Sequence, residues 1–384
     1  MTSPDTSGVL ETTANVTRDS CPSNSSASRK APTPAGLLLV DKPAGMTSHD
    51  VVSRVRRLAG TRKVGHAGTL DPAATGLLIL GINGGTKLLQ YVTGSSKTYD
   101  GIIRLGITTV TDDAEGEWKA TVGSGVRDRG ELEAVLSRFR GRIDQVPTAV
   151  SAIKIKGKRA YSLVRQGHEV ALTPRPVTIS RLDITSDQRA SHVENQSGER
   201  IRVVDFDVTV ECSSGTYIRA LARDIGALLP ALPGVDGQDE EEGKVVGGHL
   251  IGLRRTRIGP WSVDNASSLG TLAHRVDQGE ALPILSIGEV TDALFPTAVI
   301  TEAAASRFRH GQAPHPCDIG EVRDPTGSSS LPSAFSSIGA VASARDPHVI
   351  LGLVDFGSNG RLEPRTVSVF PADLGLLQED SHEC

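Results

Sequence analysis

Aromatic residues are scarce in this chain: 2 Trp, 4 Tyr and 7 Phe among 384 residues. Each tyrosine beside a charged motif therefore merits inspection. No run of about 18 apolar residues occurs, which excludes a membrane-spanning helix. The four cysteines, Cys21, Cys212, Cys317 and Cys384, never stand at a CxxC spacing. That argues against both a disulfide framework and a structural zinc site. No basic segment followed by an apolar core opens the chain, so no secretory signal is read and a cytoplasmic protein is expected. An excess of one charge is lacking too: 41 Lys and Arg against 45 Asp and Glu leave a formal net charge of −4. The chain is thus not basic throughout, but a local basic surface remains open to it. No GxxxxGK[ST] motif is present, and Gly85-Thr86-Lys87 lacks the preceding glycine pattern, so a nucleoside triphosphate site is not read.

With 38% apolar residues and a mean hydropathy of −0.15, the chain is long enough for a real core and for two domains. Residues 1–34 hold 13 Ser and Thr and few large apolar residues, and are read as a disordered extension. The run Gly36 to Val40 predicts a buried strand ending at Asp41-Lys42-Pro43. A helix should follow, capped by Ser48, with Val51, Val52, Val55 and Leu58 on one face and Gly60 past its end. A Gly-rich loop spans Gly65 to Pro72, an apolar run follows at 76–81, and a strand is expected at 98–105. Residues 130–140 carry a helical stripe. Alternation from 201 to 212 predicts a half-buried strand, with Val204, Phe206, Val208, Val210 and Cys212 facing one way. That strand is expected to run on, extended, through Thr216-Tyr217-Ile218-Arg219 before a helix near 220–229. Residues 186–200 and 233–247 read as inserted solvated loops. A smaller unit with strand-like pieces at 347–355 and 365–370 begins near Phe295-Pro296, and 325–337 reads as a linker. Strands and helices without regular βαβ alternation imply an α+β fold. The expected division is a 1–34 extension, a 35–296 catalytic domain, a 297–378 small β-rich domain and a 379–384 tail.

The densest chemical signal is Lys63-Val64-Gly65-His66-Ala67-Gly68-Thr69-Leu70-Asp71-Pro72-Ala73-Ala74-Thr75-Gly76. Its glycines permit positive φ and close approach of a ligand, and Pro72 holds Asp71 in an extended or turn geometry. A carboxylate on such a turn, flanked by Lys63 and His66, is a candidate nucleophile or general base. Taken alone, an Asp-Pro pair more often hydrogen-bonds its own backbone. Charge adds to the case: residues 36–104 carry nine Lys and Arg against four acids, and residues 153–175 six against one. Tyr99 and Tyr161 sit among these cations. Basic surface interleaved with aromatic rings suits a nucleic-acid backbone and stacked bases.

In combination these motifs resemble the TruB-type tRNA pseudouridine synthases of bacteria. The resemblance is carried by Leu39-Val40-Asp41-Lys42-Pro43-Ala44-Gly45-Met46-Thr47-Ser48, the 65–76 stretch, Lys97-Thr98-Tyr99, and Leu105-Gly106 through Asp112-Asp113-Ala114-Glu115-Gly116. It continues at Gln145-Val146-Pro147, Ser151 to Lys154, Gly157 to Tyr161, Cys212 to Arg219, and Leu253-Arg254-Arg255-Thr256, covering about 35–290. Gly85, Thr148 and Val150 depart from the family pattern, which bears on loop packing. Phe308-Arg309-His310-Gly311 is the C-terminal piece singled out for RNA contact.

The resemblance implies a mixed, largely antiparallel central sheet flanked by helices. It implies Asp71 as the essential carboxylate, Tyr99 stacking on the target base, and Tyr217 packing beside that base. Arg219 would pair with Asp71 and hold it ionised and oriented. His66 would support the RNA loop, Lys42 would shape the floor of the site, Leu253 would pack against the uracil, and Lys63 would add to the substrate-binding charge. The implied reaction isomerises uridine 55 in the T loop of tRNA: the C1′–N1 bond breaks, the base rotates, and C1′ rejoins at C5. Such a reaction requires no cofactor and no metal. The implied partner is the tRNA T-arm, bound by a monomer with no obligatory protein partner and no membrane. The sequence does not separate attack on C1′, attack on C6, or a glycal route. Two rivals stay open: a guide-RNA-dependent synthase of the dyskerin type, and a tRNA-binding or folding protein without catalysis.

Overall fold

The structure, a computed structural model, describes residues 32–148, 154–155, 158–159, 172–195, 197–232, 244–323, 338–357 and 364–370. The expectations for the extension through residue 31, for Val150 and Tyr161, for 233–243 of the second inserted loop, for 325–337 and for the tail 379–384 lie outside them. Thr33 is anchored: its hydroxyl donates to Ala59 O and its carbonyl accepts from Asn83 Nδ2.

The apolar run near residue 36 forms the strand Gly36–Lys42, which pairs antiparallel with Thr75–Ile82. Both faces of these strands are covered. Leu38, Val40, Leu78 and Leu80 join one apolar cluster, while Leu37, Leu39, Leu77 and Ile79 join another. Burial on both sides explains why the two read as continuous apolar runs rather than alternating ones. Thr75–Ile82 pairs parallel with Gly248–Ile258, which runs antiparallel to Lys97–Leu105. Arg200–Cys212, Arg175–Ile184 and Gly141–Gln145 extend the sheet, each antiparallel to its neighbour. The result is a 12-stranded mixed, largely antiparallel sheet. Arg200–Cys212 alternates as expected, with Val204, Phe206, Val208, Val210 and Cys212 buried.

The helix Ser48–Leu58 lays Val51, Val52 and Val55 on the first cluster. Burying three valines contributes roughly 1.5–3 kcal/mol each. Its cap corrects the expectation. Thr47, not Ser48, is the N-cap, with Asp50 completing a capping box. Ser48 is already helical and buried, and its hydroxyl exchanges hydrogen bonds with Leu70 N and O instead.

Two other readings are corrected. Residues 186–200 are not simply a loop. Arg189–Glu194 is a strand antiparallel to Arg200–Cys212, closed by Asn195 accepting from the Ser197 and Glu199 amides. The strand does not run on through Arg219: it ends at Cys212, and the chain turns at Ser214-Gly215, where Gly215 takes a φ of +86°. Tyr217 is the extended N-cap, and Ile218–Ala227 is helix, so Arg219 lies in its first turn.

The C-terminal residues form a separate mixed sheet of five strands in the order Ile319–Arg323, Thr297–Ile300, Ile338–Ser343, Ile350–Asp355, Arg365–Val369. The helix Glu302–Arg309 covers one face. Phe308, proposed from sequence as part of an RNA contact, is fully buried in that core, while Arg309, His310 and Gly311 are exposed. The other face shares an apolar cluster with the large sheet, which takes in Ala340, Ala342, Ile350 and Leu353 together with Leu37 and Leu77 of that sheet and Val290 of the helix Ile287–Leu294.

Candidate active site

Asp71 lies in the connection between the strands Val64–Ala67 and Thr75–Ile82. Sequence chemistry bends the chain there. Gly68 and Gly76 take φ of +79° and +99°, and a Cβ at Gly76 would lie 2.3 Å from Arg255 O. Lys42 sits at the end of the neighbouring strand, fully buried. Its ammonium donates to Pro43 O at 2.9 Å, Met46 O at 2.7 Å and Pro72 O at 3.1 Å. Gly45 N also donates to Pro72 O. One cation thereby ties the turn after the first strand to the residue following Asp71. Burial pushes the Lys42 pKa below the usual lysine range, with Asp71 opposing.

The Asp71 side chain is 44% exposed and open to a ligand. Its Oδ2 meets Arg219 Nε at 3.1 Å. Arg219 Nη1 donates to Thr111 O at 2.9 Å and to Asp113 Oδ2 at 3.0 Å. Asp113 is itself held by the Thr111 hydroxyl and the Glu115 amide. The guanidinium is therefore fixed from behind and presents one edge to Asp71, a geometry that an ammonium could not reproduce.

Tyr217 precedes Arg219 by two residues. Gln145, a buried amide, clasps its main chain: Tyr217 N donates to Oε1 at 2.8 Å and Nε2 donates to Tyr217 O at 3.0 Å. Burial raises the Tyr217 pKa, with Arg175 and Arg219 opposing. Tyr99, on Lys97–Leu105, is 8% exposed within the first apolar cluster. Burial pushes its phenol up, and the charged, hydrogen-bonded Arg255 pulls the other way. Leu253 is partly buried against the same cluster, paired with Gly101.

His66 lies on Val64–Ala67, its ring edge-on to His49 with centroids 5.5 Å apart. Burial lowers its pKa, helped by His49 and Arg255, and its Nδ1 has no hydrogen-bond partner among the described residues. Lys63 is exposed just before that strand. The structure thus brings Asp71, Arg219 and Lys42 into one connected network, with Tyr217 at the N-cap of the helix that carries Arg219. Lys63 takes its place at the rim.

Residues 56–218 match the model of the TruB family pseudouridylate synthase N-terminal domain. The chain is 45% identical over 323 residues to the tRNA pseudouridine synthase B of Arthrobacter sp. (strain FB24), spanning 84% of this chain and 94% of that relative. To that of Paenarthrobacter aurescens (strain TC1) it is 50% identical over 279 residues, spanning 72% and 80%. The chain belongs to the TruB family of pseudouridine synthases. Among solved structures, an H/ACA ribonucleoprotein bound to a substrate RNA containing 2′-deoxyuridine shares its fold, at TM-score 0.59 and 20% identity over 88% of this chain and 86% of that one. The archaeal box H/ACA Nop10–Cbf5 complex does so at TM-score 0.57 and 21% identity over 90% of each.

Four residues at this TruB-family site escaped the sequence reasoning: Arg255, Asp113, Gln145 and Lys97. Arg255 is buried, with Nε to Leu77 O at 2.8 Å and Nη2 to Gly68 O at 3.1 Å, so the Asp71 loop closes over it. Lys97, also buried, donates to Thr93 O and Ser95 O, and burial lowers its pKa to about 8. The family motifs contained all four, but no local spacing links Asp113 to Arg219 or Gln145 to Tyr217.

Proposed function

We propose that this chain isomerises uridine 55 in the T loop of tRNA to pseudouridine, with Asp71 as the essential carboxylate. The observation that carries the proposal is the Asp71–Arg219 pair, 3.1 Å apart on an open face with the guanidinium braced from behind. The 43–50% identity to tRNA pseudouridine synthases B supports the stand-alone reading over the guide-RNA-dependent one, where the likeness is one of fold.

The chemistry follows from that arrangement. The target nucleotide sits in a folded loop, and extruding it costs a few kcal/mol. Stacking on Tyr99, with Tyr217 beside the base and Leu253 against the uracil, returns about 1–3 kcal/mol. His66 supports the loop that the base has left, and Lys63 adds positive charge for the phosphates. Asp71 acts on ribose C1′, on uracil C6, or as the base of a glycal route, and all three employ the same carboxylate. The C1′–N1 bond breaks, the base turns, and the C1′–C5 bond forms. The C5 proton then leaves and N1 regains one, so the product is an isomer of the substrate. Lys42 holds the Asp71 turn and touches no reacting atom. The chain acts as a monomer in the cytoplasm, with the catalytic part spanning 35–296 and the small C-terminal domain of 297–378 adding RNA contacts.

The test uses the purified chain and an unmodified tRNA transcript, with pseudouridine mapped by position. The expected result is modification at position 55 without added RNA or protein. Modification that depends on a guide RNA, or binding of the T-arm with no pseudouridine, overturns the proposal.

A further inference from the structure

Two consecutive acids beside this centre are gripped by two arginines one helical turn apart. Arg219 Nη1 meets Asp113 Oδ2 at 3.0 Å, and Arg223 Nη1 meets Asp112 Oδ2 at 3.1 Å. On a helix, residues four apart are neighbours on one face. In an extended chain, adjacent side chains point to opposite sides, and two successive carboxylates could not both meet that face. Asp112 resolves the conflict with a φ of +58°. That left-handed conformation is uncommon outside glycine and best tolerated by Asp and Asn. It brings the second carboxylate round to the helix. Asp112 is also 8% exposed. A buried acid in an unfavourable backbone conformation, next to a reacting centre, points to a function for the strain.

The remaining bonds of Arg223 suggest what that function is. Its Nη2 donates to Val146 O at 2.8 Å, and its Nε to Asp224 Oδ1 at 2.8 Å. Val146 directly follows Gln145, whose amide clasps the main chain of Tyr217. The carbonyl of Asp112 accepts from Leu250 N, which pins the same turn to the central sheet. Arg223 therefore joins the turn that holds Arg219 to the strand end that holds Tyr217.

We propose that Asp112 and Arg223 are positioning residues for the reaction: they lock the 111–113 turn to residues 145–146, so that the fork of Arg219 is set toward Asp71 and the main chain of Tyr217 is held in place. This rests on the assignment of Asp71 and Arg219 made above. Neither residue of the pair needs to touch RNA. Their contribution is to the precision of the site, where a misplacement of about 1 Å can cost roughly 100-fold in rate.

The test compares the wild-type chain with Asp112→Asn, Arg223→Gln, Arg223→Lys and the Asp112→Asn/Arg223→Gln double variant. Each is assayed for kcat and KM on a T-arm stem-loop carrying C5-tritiated uridine, with thermal unfolding recorded in parallel. Asn keeps the volume and the left-handed conformation of Asp112, so that variant probes the charge alone. The expected loss in kcat is about 10- to 100-fold for Asp112→Asn and Arg223→Gln, with KM within about twofold. Arg223→Lys should recover part of the rate. The double variant should be no slower than the slower single one, because the pair acts as a unit. Unchanged kcat in the single variants, losses that multiply in the double, or a loss confined to KM or abolished at temperatures where the variants are fully folded, overturns the proposal. A wild-type chain without activity, or an Asp71→Asn variant with full activity, overturns the underlying assignment instead.

Discussion

Lys42→Met removes the cation that ties the Asp71 turn to the first strand while nearly keeping its volume. Three carbonyls lose a donor. Pro72 O retains the Gly45 amide, so Pro43 O and Met46 O bear the loss. An unsatisfied polar group costs about 1–3 kcal/mol. Not having to bury an ammonium offsets part of this, as the lowered Lys42 pKa indicates. The net destabilisation comes to about 2–4 kcal/mol. At about 2–4 °C per kcal/mol, Tm falls by roughly 5–15 °C. The rate should fall further than the melting shift implies, because the turn carrying Asp71 is no longer held to the strand, and an ångström of drift costs about 100-fold. Thermal unfolding and tritium release at a temperature well below both melting points separate the two effects. A variant with unchanged Tm and full kcat would refute the idea that Lys42 holds the turn.

Arg219→Lys keeps the charge but loses the fork that reaches Asp71, Thr111 O and Asp113 together; kcat should drop roughly 100-fold with T-arm binding little changed, measured by single-turnover kinetics. Lys97 titrates near 8 in the folded chain against 10.5 for an ordinary lysine. Between those values the unfolded chain binds the extra proton, so stability relative to Lys97→Met should rise as pH climbs through that window, as read by denaturant unfolding at several pH values. A fall over that range would contradict it. Gly85→Ala would place a Cβ 2.0 Å from Gly36 O; it should cost about 1–3 kcal/mol, and an unchanged Tm would show that the backbone yields there.

Much of this site was legible in the sequence because its parts are local. Glycines and Pro72 around Asp71 predict a constrained turn. Two-residue alternation from 201 to 212 predicts the strand that pairs with the one bearing Tyr99, and the valine stripe after Ser48 predicts the helix. What failed was decided by distant partners. Ser48 looked like a cap, but the Leu70 amide claims its hydroxyl, and Thr47 with Asp50 makes the capping box. Tyr217 and Arg219 read as extended because the helix has no side-chain N-cap; the clasp from Gln145, 72 residues away, stands in for it. The polar stretch 186–200 hides a hairpin because its strand is mostly exposed and buries little that would alternate. Asp113 sits 106 residues from Arg219, and no local rule pairs them.

The decisive measurement is tritium release from C5-labelled uridine in a T-arm stem-loop by the wild-type chain and by Asp71→Asn, with binding to the same RNA measured in parallel. If Asp71 is the essential carboxylate, the wild-type chain releases tritium, whereas the variant binds the RNA and releases none. Release by the variant at the wild-type rate contradicts it.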